Sequence, residues 1–430
     1  MKLKLVFGTV AACLGLVASA AAQVTDLPDV GNLGRDESEF FRLLNSEDLE
    51  ALRAAQSEAS HASLDLGWRQ HGLSFGNASV WHGVRFNWRD AALREIRGLN
   101  VTLWKPGPNV DGRIDALSLG LWGPRADEVN GVSLGLVMVR ARAALRGLWF
   151  GGVLAKSRRL AGVGLSVGAQ VARGPAVGVF VSGVGNVAAL ENATLLRREG
   201  AAFAPLPEGG WGPDQLHGLA VGGIANTHIG GVRGVQLAGI VNTNGGHLAG
   251  LQVGGLANLT RGDVRGIQVG IANVAVERTL GAQLGAVALS GPGSRGLMLG
   301  ALGTWVDDDS TGLTLGGLGS AVQGDANGLV LGGLLATNKG HVRGLAVAGG
   351  LLHCEELTGL GVGGLVNLSR RARGLQFGLV NEVAEELRGI TVGGFNRVLG
   401  AENGYLIGLL NYVPENPTWL RWLPVFNTSF

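Results

Sequence analysis

The 430-residue chain is poor in several things, and each shortage excludes something. Cysteine occurs twice, at Cys13 and Cys354. Cys13 lies in the leader described below, so a processed chain keeps one thiol and no internal disulfide. That does not argue against export, because repeat arrays stand without disulfides. Tyrosine occurs twice, and residues 212–404 hold a single tryptophan, Trp305. The aromatic girdles of an outer-membrane barrel are therefore missing. Neither charge dominates: 35 basic residues face 33 acidic ones, for a net +2, with no long basic run. Nucleic acid is excluded as a partner on that ground. Beyond the leader, no run of ~18 apolar residues lacks glycine, so no transmembrane helix is expected. With only 12 prolines and no three-residue glycine period, the chain is not collagenous. No phosphate-cradling loop, Ser/His/Asp set or paired carboxylates stand out. The expectation is a non-enzymatic chain without cofactor or metal.

Glycine is what the chain has in excess. Its 75 residues are about 17% of the total, against a background of roughly 7%. Apolar residues make up 46%, too many for a disordered glycine-rich linker. Tight turns between short apolar strands reconcile the two.

The first residues read as a secretory leader. Lys2 and Lys4 precede an apolar stretch from Leu5 to Val17, and Ala20-Ala21-Ala22 offers small residues for cleavage before Gln23. Residues 1–22 are assigned as signal peptide, which implies export. Residues 23–97 form a polar segment and a Trp-rich cap. Within them Ser46 to Glu50 can cap a helix reaching about Ser60. Trp68, Trp81 and Trp88 mark the β cap. An irregular first array covers 98–189. Charges and Pro205, Pro207 and Pro213 interrupt it as an inserted loop over 190–217. A regular array follows over 218–411, and 412–430 close the chain.

In the regular array the period is strict. GLAVGGIAN at 218, GVQLAGIVN at 234 and GLQVGGLAN at 250 lead a series ending in GYLIGLLN at 404. The 12 steps from Gly218 to Gly404 are all 15 or 16 residues. In residues 250–265, Leu251 and Val253 give a strand with one bulky face. Gly254-Gly255 shifts the phase, a second strand follows, and Val264 points back inward. An all-β repeat solenoid of 15–16-residue coils with a short mixed N-terminal cap fits best, because a corner recurs naturally whereas a bulge in every strand does not. The alternatives are an antiparallel meander or a closed outer-membrane barrel, and the terminal Phe430 resembles the last residue of barrel strands. Twelve steps of stacking would extend about 60 Å.

Stacked coils would align Asn226, Asn242, Asn258, Asn273, Asn367, Asn381, Asn396 and Asn411 in a structural column able to hydrogen-bond along the stack. The asparagine is lost in the copies over 281–352. Gln236, Gln252, Gln268 and Gln283 form a second column, expected to be an outward polar ladder. Arg233, Arg265, Arg295, Arg343, Arg373 and Arg388 precede repeat glycines and would line one edge, either as solvated turn residues paired with Asp263, Glu385 or Glu386 or as a basic ridge facing anionic glycans or lipid headgroups. His353, Cys354, Glu355 and Glu356 are consecutive, so they diverge instead of converging on a metal. Asp307-Asp308-Asp309 reads as a solvated acidic turn. Arg261-Gly262-Asp263 matches an integrin-type tripeptide, but a turn needs such residues anyway.

The repeats GLQVGGLAN, GIQVGIAN and GLQFGLVN resemble those of bacterial exported Gly-rich surface-repeat proteins of the leptospiral type. Gly83 to Asn87 followed by Gly98 to Trp104 is similar to the N-terminal segment of that family. Gly408 to Tyr412, Asn416-Pro417 and Leu423 to Asn427 are similar to its C-terminal closure. The resemblance covers roughly residues 72–430. It implies a place at the cell envelope or surface and offers no catalytic residues. The array is expected to act as a structural or interaction scaffold, with an outer-membrane barrel or pore as the alternative. The specific partner stays unassigned. The candidate classes are envelope glycans, lipids and other surface proteins.

Overall fold

A computed structural model describes residues 62–107, 109, 111–188 and 216–428. The expected signal peptide, the helix over 46–60, Phe430 and all but the last two residues of the inserted loop lie outside these. The described residues divide into two compact units. One takes 62–188 with 217–227, and the other takes Leu216 with 228–428. Both are β-solenoids, and no helix occurs among the described residues.

Strand direction removes the meander and the barrel. In the second unit Val232–Ala238 pairs in parallel with Leu248–Gly254, which pairs in parallel with Val264–Val269. The register is one repeat per step: Gly234, Gly250, Gly266 and Gly281 stand directly above one another. Meanders and barrel hairpins need antiparallel neighbours, whereas stacked coils need parallel ones. One coil therefore holds a long strand such as Leu248–Gly254, a glycine corner at 255–256, a short strand such as Ala257–Thr260, and a polar corner at 261–263.

The stack of the first unit reaches back to Gly72, which lies beside Gly83, and Gly83 lies beside Gly98. Among the described residues of this unit, the outermost strand Ser63–Trp68 runs antiparallel, folding over His71–Gly76 as a cover. The inserted loop breaks the sequence period but not the stack. Although 40 residues separate Gly178 from Gly218, Asn186 Nδ2 donates to Asn226 Oδ1 at 2.8 Å. At the far end of the second unit, Trp422–Asn427 turns back antiparallel against Tyr405–Tyr412 and closes the last coil.

The interior corrects one expectation outright. Gln236, Gln252, Gln268 and Gln283 are completely buried, not outward. Strand alternation then turns Leu251 and Val253 outward, each half-buried by neighbours in adjacent coils. The physical reason is satisfaction. Gln252 Nε2 donates to Gln236 Oε1 at 3.0 Å, Gln268 to Gln252 at 2.8 Å, and Gln283 to Gln268 at 2.9 Å. A buried amide costs little when its neighbour one coil away offers the complementary group.

Where the amides stop, aliphatic and small hydroxyl side chains replace them. In register, the glutamine column continues as Met298, Thr314, Val330 and Ala346. The asparagine column passes through Ala288, Thr304, Ser320, Ala336 and Leu352. Met298, Val306, Val330, Val342, Leu352 and Leu357 join in one apolar cluster there. Along the stack the core is amide, then aliphatic, then amide again. Cys354 is buried in this middle section, and burial pushes its thiol up to about 12. In a Cys13→Ser chain, Cys354 is expected to resist thiol reagents until denaturant is added. Native labelling at the rate of an open thiol would contradict the packing.

Candidate functional site

The asparagine column sits inside the glycine corner. Asn242 Nδ2 donates to Asn258 Oδ1 at 3.0 Å, and Asn258 Nδ2 to Asn273 Oδ1 at 2.8 Å. After the aliphatic gap, Asn367 donates to Asn381, Asn381 to Asn396 and Asn396 to Asn411, at 2.7–2.8 Å. Each amide also ties the corner across coils, as Asn258 Nδ2 does to the Val269 carbonyl at 2.7 Å. The asparagine donors point toward the C-terminal coils and the glutamine donors toward the N-terminal ones, so the two ladders oppose each other's dipoles. Asn367 begins its ladder and Gln283 ends its own, and each keeps one buried oxygen without a partner. These columns are wholly enclosed and offer a ligand nothing; they fix the coil.

The glutamine ladder starts on a histidine. Gln236 Nε2 meets His228 Nδ1 at 2.6 Å, and burial lowers the His228 pKa to about 4. Neutral His228 accepts that hydrogen bond, and the protonated ring cannot. Because the folded pKa lies below the unfolded one, stability is full above about pH 6.5. It falls as acid protonates the unfolded chain first, by about 3 kcal/mol near pH 4. Urea titrations should show this loss in the native chain and its absence in His228→Asn, which copies Asn244 sixteen residues on.

The N-terminal coils hold a charged network that the sequence reading did not single out. Arg85 and Asp90, both fully buried, pair at 2.5 Å. Asn100 Oδ1 accepts from Arg85 at 2.8 Å, and the Thr102 hydroxyl and Asn87 amide donate to Asp90 at 2.7 and 2.9 Å. Burial pushes the Asp90 carboxyl up, but Arg85 and the donors outweigh it and hold it below its ordinary value. With no access to solvent, this network seals the first coils. The same inward column in the first unit then holds Ser118, Ser133, Trp149, Gly164 and Phe180. Gly164 makes room for Trp149 and Phe180, whose ring centres lie 5.9 Å apart.

What solvent meets is the outer face. In the second unit, Val235, Leu251, Ile267, Ala282, Leu297, Leu313, Leu329, Leu345 and Leu360 form one outward column of the long strands. The column two residues further along runs from Leu237 through Val253, Val269 and Leu284 to Val362. At the glycine corner stand Leu256, Leu318, Leu334 and Leu365, 46–58% exposed. In the first unit the long strands turn Leu117, Val132 and Leu148 outward beside Leu119, Leu134 and Phe150. A shallow apolar depression of about 310 Å³ lies there, lined by Leu103, Leu119, Leu121, Leu134, Leu136 and Phe150 among others.

All six ridge arginines are exposed in the second unit, on one column two residues before the first aliphatic column. They do not form an unbroken row: Ala249, Leu280, Thr311, Asn327 and Thr358 intervene. Arg265 meets Asp263 at 3.4 Å, and Arg373 and Arg388 both meet Glu386. Arg295 and Arg343 have no ion-pair partner among the described residues.

The remaining candidates disperse. Cys354 turns inward, while Glu355 and Glu356 pair with Arg370 and Arg371. Asp307 accepts from the Trp305 indole, and Asp309 from the Asp325 backbone. Asp263 is 2% exposed, so the Arg261-Gly262-Asp263 tripeptide presents no free carboxylate. His247, Asp263 and Glu277 bring ligand atoms within 4.8 Å of one another. Arg265 and Arg278 already hold both Asp263 oxygens, which leaves a cation little to gain. No protein-family model matches the chain, nor does any curated protein or solved structure.

Proposed function

We propose that this chain is a non-enzymatic, exported scaffold of the cell envelope or surface that acts through the outer face of its coils. The single observation behind this reading is repetition. Most coils of the second unit turn a common pattern outward, an arginine-column residue, then two mainly aliphatic positions, then a mainly aliphatic corner. A face repeated in register suits many weak contacts along an extended partner, whereas a catalytic centre needs one unlike constellation. The leader pattern supports export, and the resemblance to Gly-rich surface-repeat proteins supports the envelope. Protease shaving of intact cells tests the location. The exposed polar corner around Arg370, Arg371 and Glu385 should be cut while cytoplasmic markers stay whole. Complete protection, together with recovery in the cytoplasmic fraction, would contradict the proposal.

A further inference from the structure

We infer that the outward apolar plate of the second unit is a docking surface for an anionic phospholipid leaflet. This rests on the envelope reading and specifies what the scaffold touches. Three features of the plate argue for it. First, apolar surface faces out where polar groups face in. Glutamine and asparagine ladders lie buried in the coils, beside inward aliphatics, while a mainly aliphatic column runs outward over nine coils from Val235 to Leu360. Contiguous apolar surface on this scale is rare in soluble monomers and marks a partner or a membrane.

Second, arginines punctuate one border of the plate. The arginine column runs along its edge, two residues from the first aliphatic column, as Arg265 does beside Ile267. Arg295 and Arg343 point their charge outward without a carboxylate partner among the described residues. Long arginine side chains can lay their stems along an apolar face and place their heads among phosphates. A second copy of the chain offers no such complement, because the same border would bring arginines to it.

Third, the plate ends in aromatic residues that favour an interface between water and hydrocarbon. Ile390 is followed in register by Tyr405, which stacks on Phe426 with ring centres 5.7 Å apart. Phe395 stacks on Trp422 at 6.0 Å, and Trp419 is 77% exposed. Aliphatic plane, basic edge and amphipathic rings together are the composition of an element that lies in a membrane surface without spanning it. The acidic and mixed corner at Asp307–Asp309 and Glu385 sits on the other side of the arginine column from the plate, which fixes which side meets lipid.

Vesicle flotation tests the assignment with the full chain. Phosphatidylcholine vesicles are compared with vesicles carrying about one third phosphatidylglycerol. The native chain should float with the anionic vesicles at least tenfold more than with the neutral ones. Leu256→Asp, Leu318→Asp and Leu334→Asp combined should cut the bound fraction at least tenfold. These side chains are outward, so circular dichroism and the melting midpoint should be unaltered. Arg295→Glu with Arg343→Glu should remove most of the preference for anionic lipid. Equal flotation with neutral vesicles, or binding unaffected by the leucine changes, would overturn the inference. A stable dimer in light scattering that does not float would assign the plate to a second copy and equally overturn it. Flotation that persists in a chain found only in the cytoplasm would sink the envelope reading and leave the lipid surface standing.

Discussion

Gly250→Ala is expected to destabilise the C-terminal unit by about 3 kcal/mol or more, while Gly319→Ala shifts it by less than about 1 kcal/mol. Both glycines lie in strands, and composition alone would treat them alike. Gly250 has φ +140°, and a Cβ there would stand 2.0 Å from the Gly234 carbonyl oxygen. That oxygen belongs to the backbone of the coil beneath, so nothing flexible can yield. The same close approach recurs at Gly266, Gly281 and Gly344, so the column of positive-φ glycines sets the coil spacing. At Gly319 a Cβ would meet nothing nearer than 3.6 Å, and its in-register neighbour Leu335 already carries a side chain. Urea midpoints of the two variants, at an unchanged slope, check the contrast. Equal effects would mean that the stacking glycines are not the constraint.

Arg85→Met should cost the N-terminal unit about 3–5 kcal/mol at neutral pH, because Asp90 is left buried without its counter-charge. The pH dependence then reverses sign. In the native chain the folded Asp90 pKa lies below the unfolded one. Its contribution is therefore complete above the ordinary carboxylate range and is lost as pH falls through the folded value. In Arg85→Met the guanidinium's charge and hydrogen bond are gone, and burial, opposed only by the Thr102 and Asn87 donors, pushes the carboxyl upward from its native value. The variant should then gain stability relative to native as pH is lowered from about 6 toward 3. Urea midpoints across that range decide it. A variant that keeps the native acid profile would show that Arg85 does not set the charge state of Asp90.

The coil length, the parallel architecture and the asparagine positions are legible in the sequence because they rest on period. Gly218 to Gly404 in steps of 15 or 16 leaves few ways to fold. The face was harder to read, although the signal was present. Val264 reads as inward, and strict alternation from it places Gly266 and Gln268 inward and Ile267 outward. Taking the bulky residues as core conflicts with that alternation. Hydrophobicity suggests burying leucine, yet a glutamine with an identical neighbour one coil away is satisfied inside, as Gln268 is by Gln252. The Arg85–Asp90 pair left no periodic trace. Its members are five residues apart in an irregular segment, and only the fold of that cap closes them together.

The orientation of the repeat is the central claim, and thiol accessibility measures it most directly. In a chain with Cys13→Ser and Cys354→Ser, a single cysteine is placed at Leu251 or at Gln252, adjacent residues of one strand. The reversed solenoid predicts that Leu251→Cys reacts with a water-soluble maleimide at the rate of a surface thiol, while Gln252→Cys is protected until denaturant is added. Rapid labelling of Gln252→Cys with protection of Leu251→Cys would put the aliphatic columns inside and contradict the account.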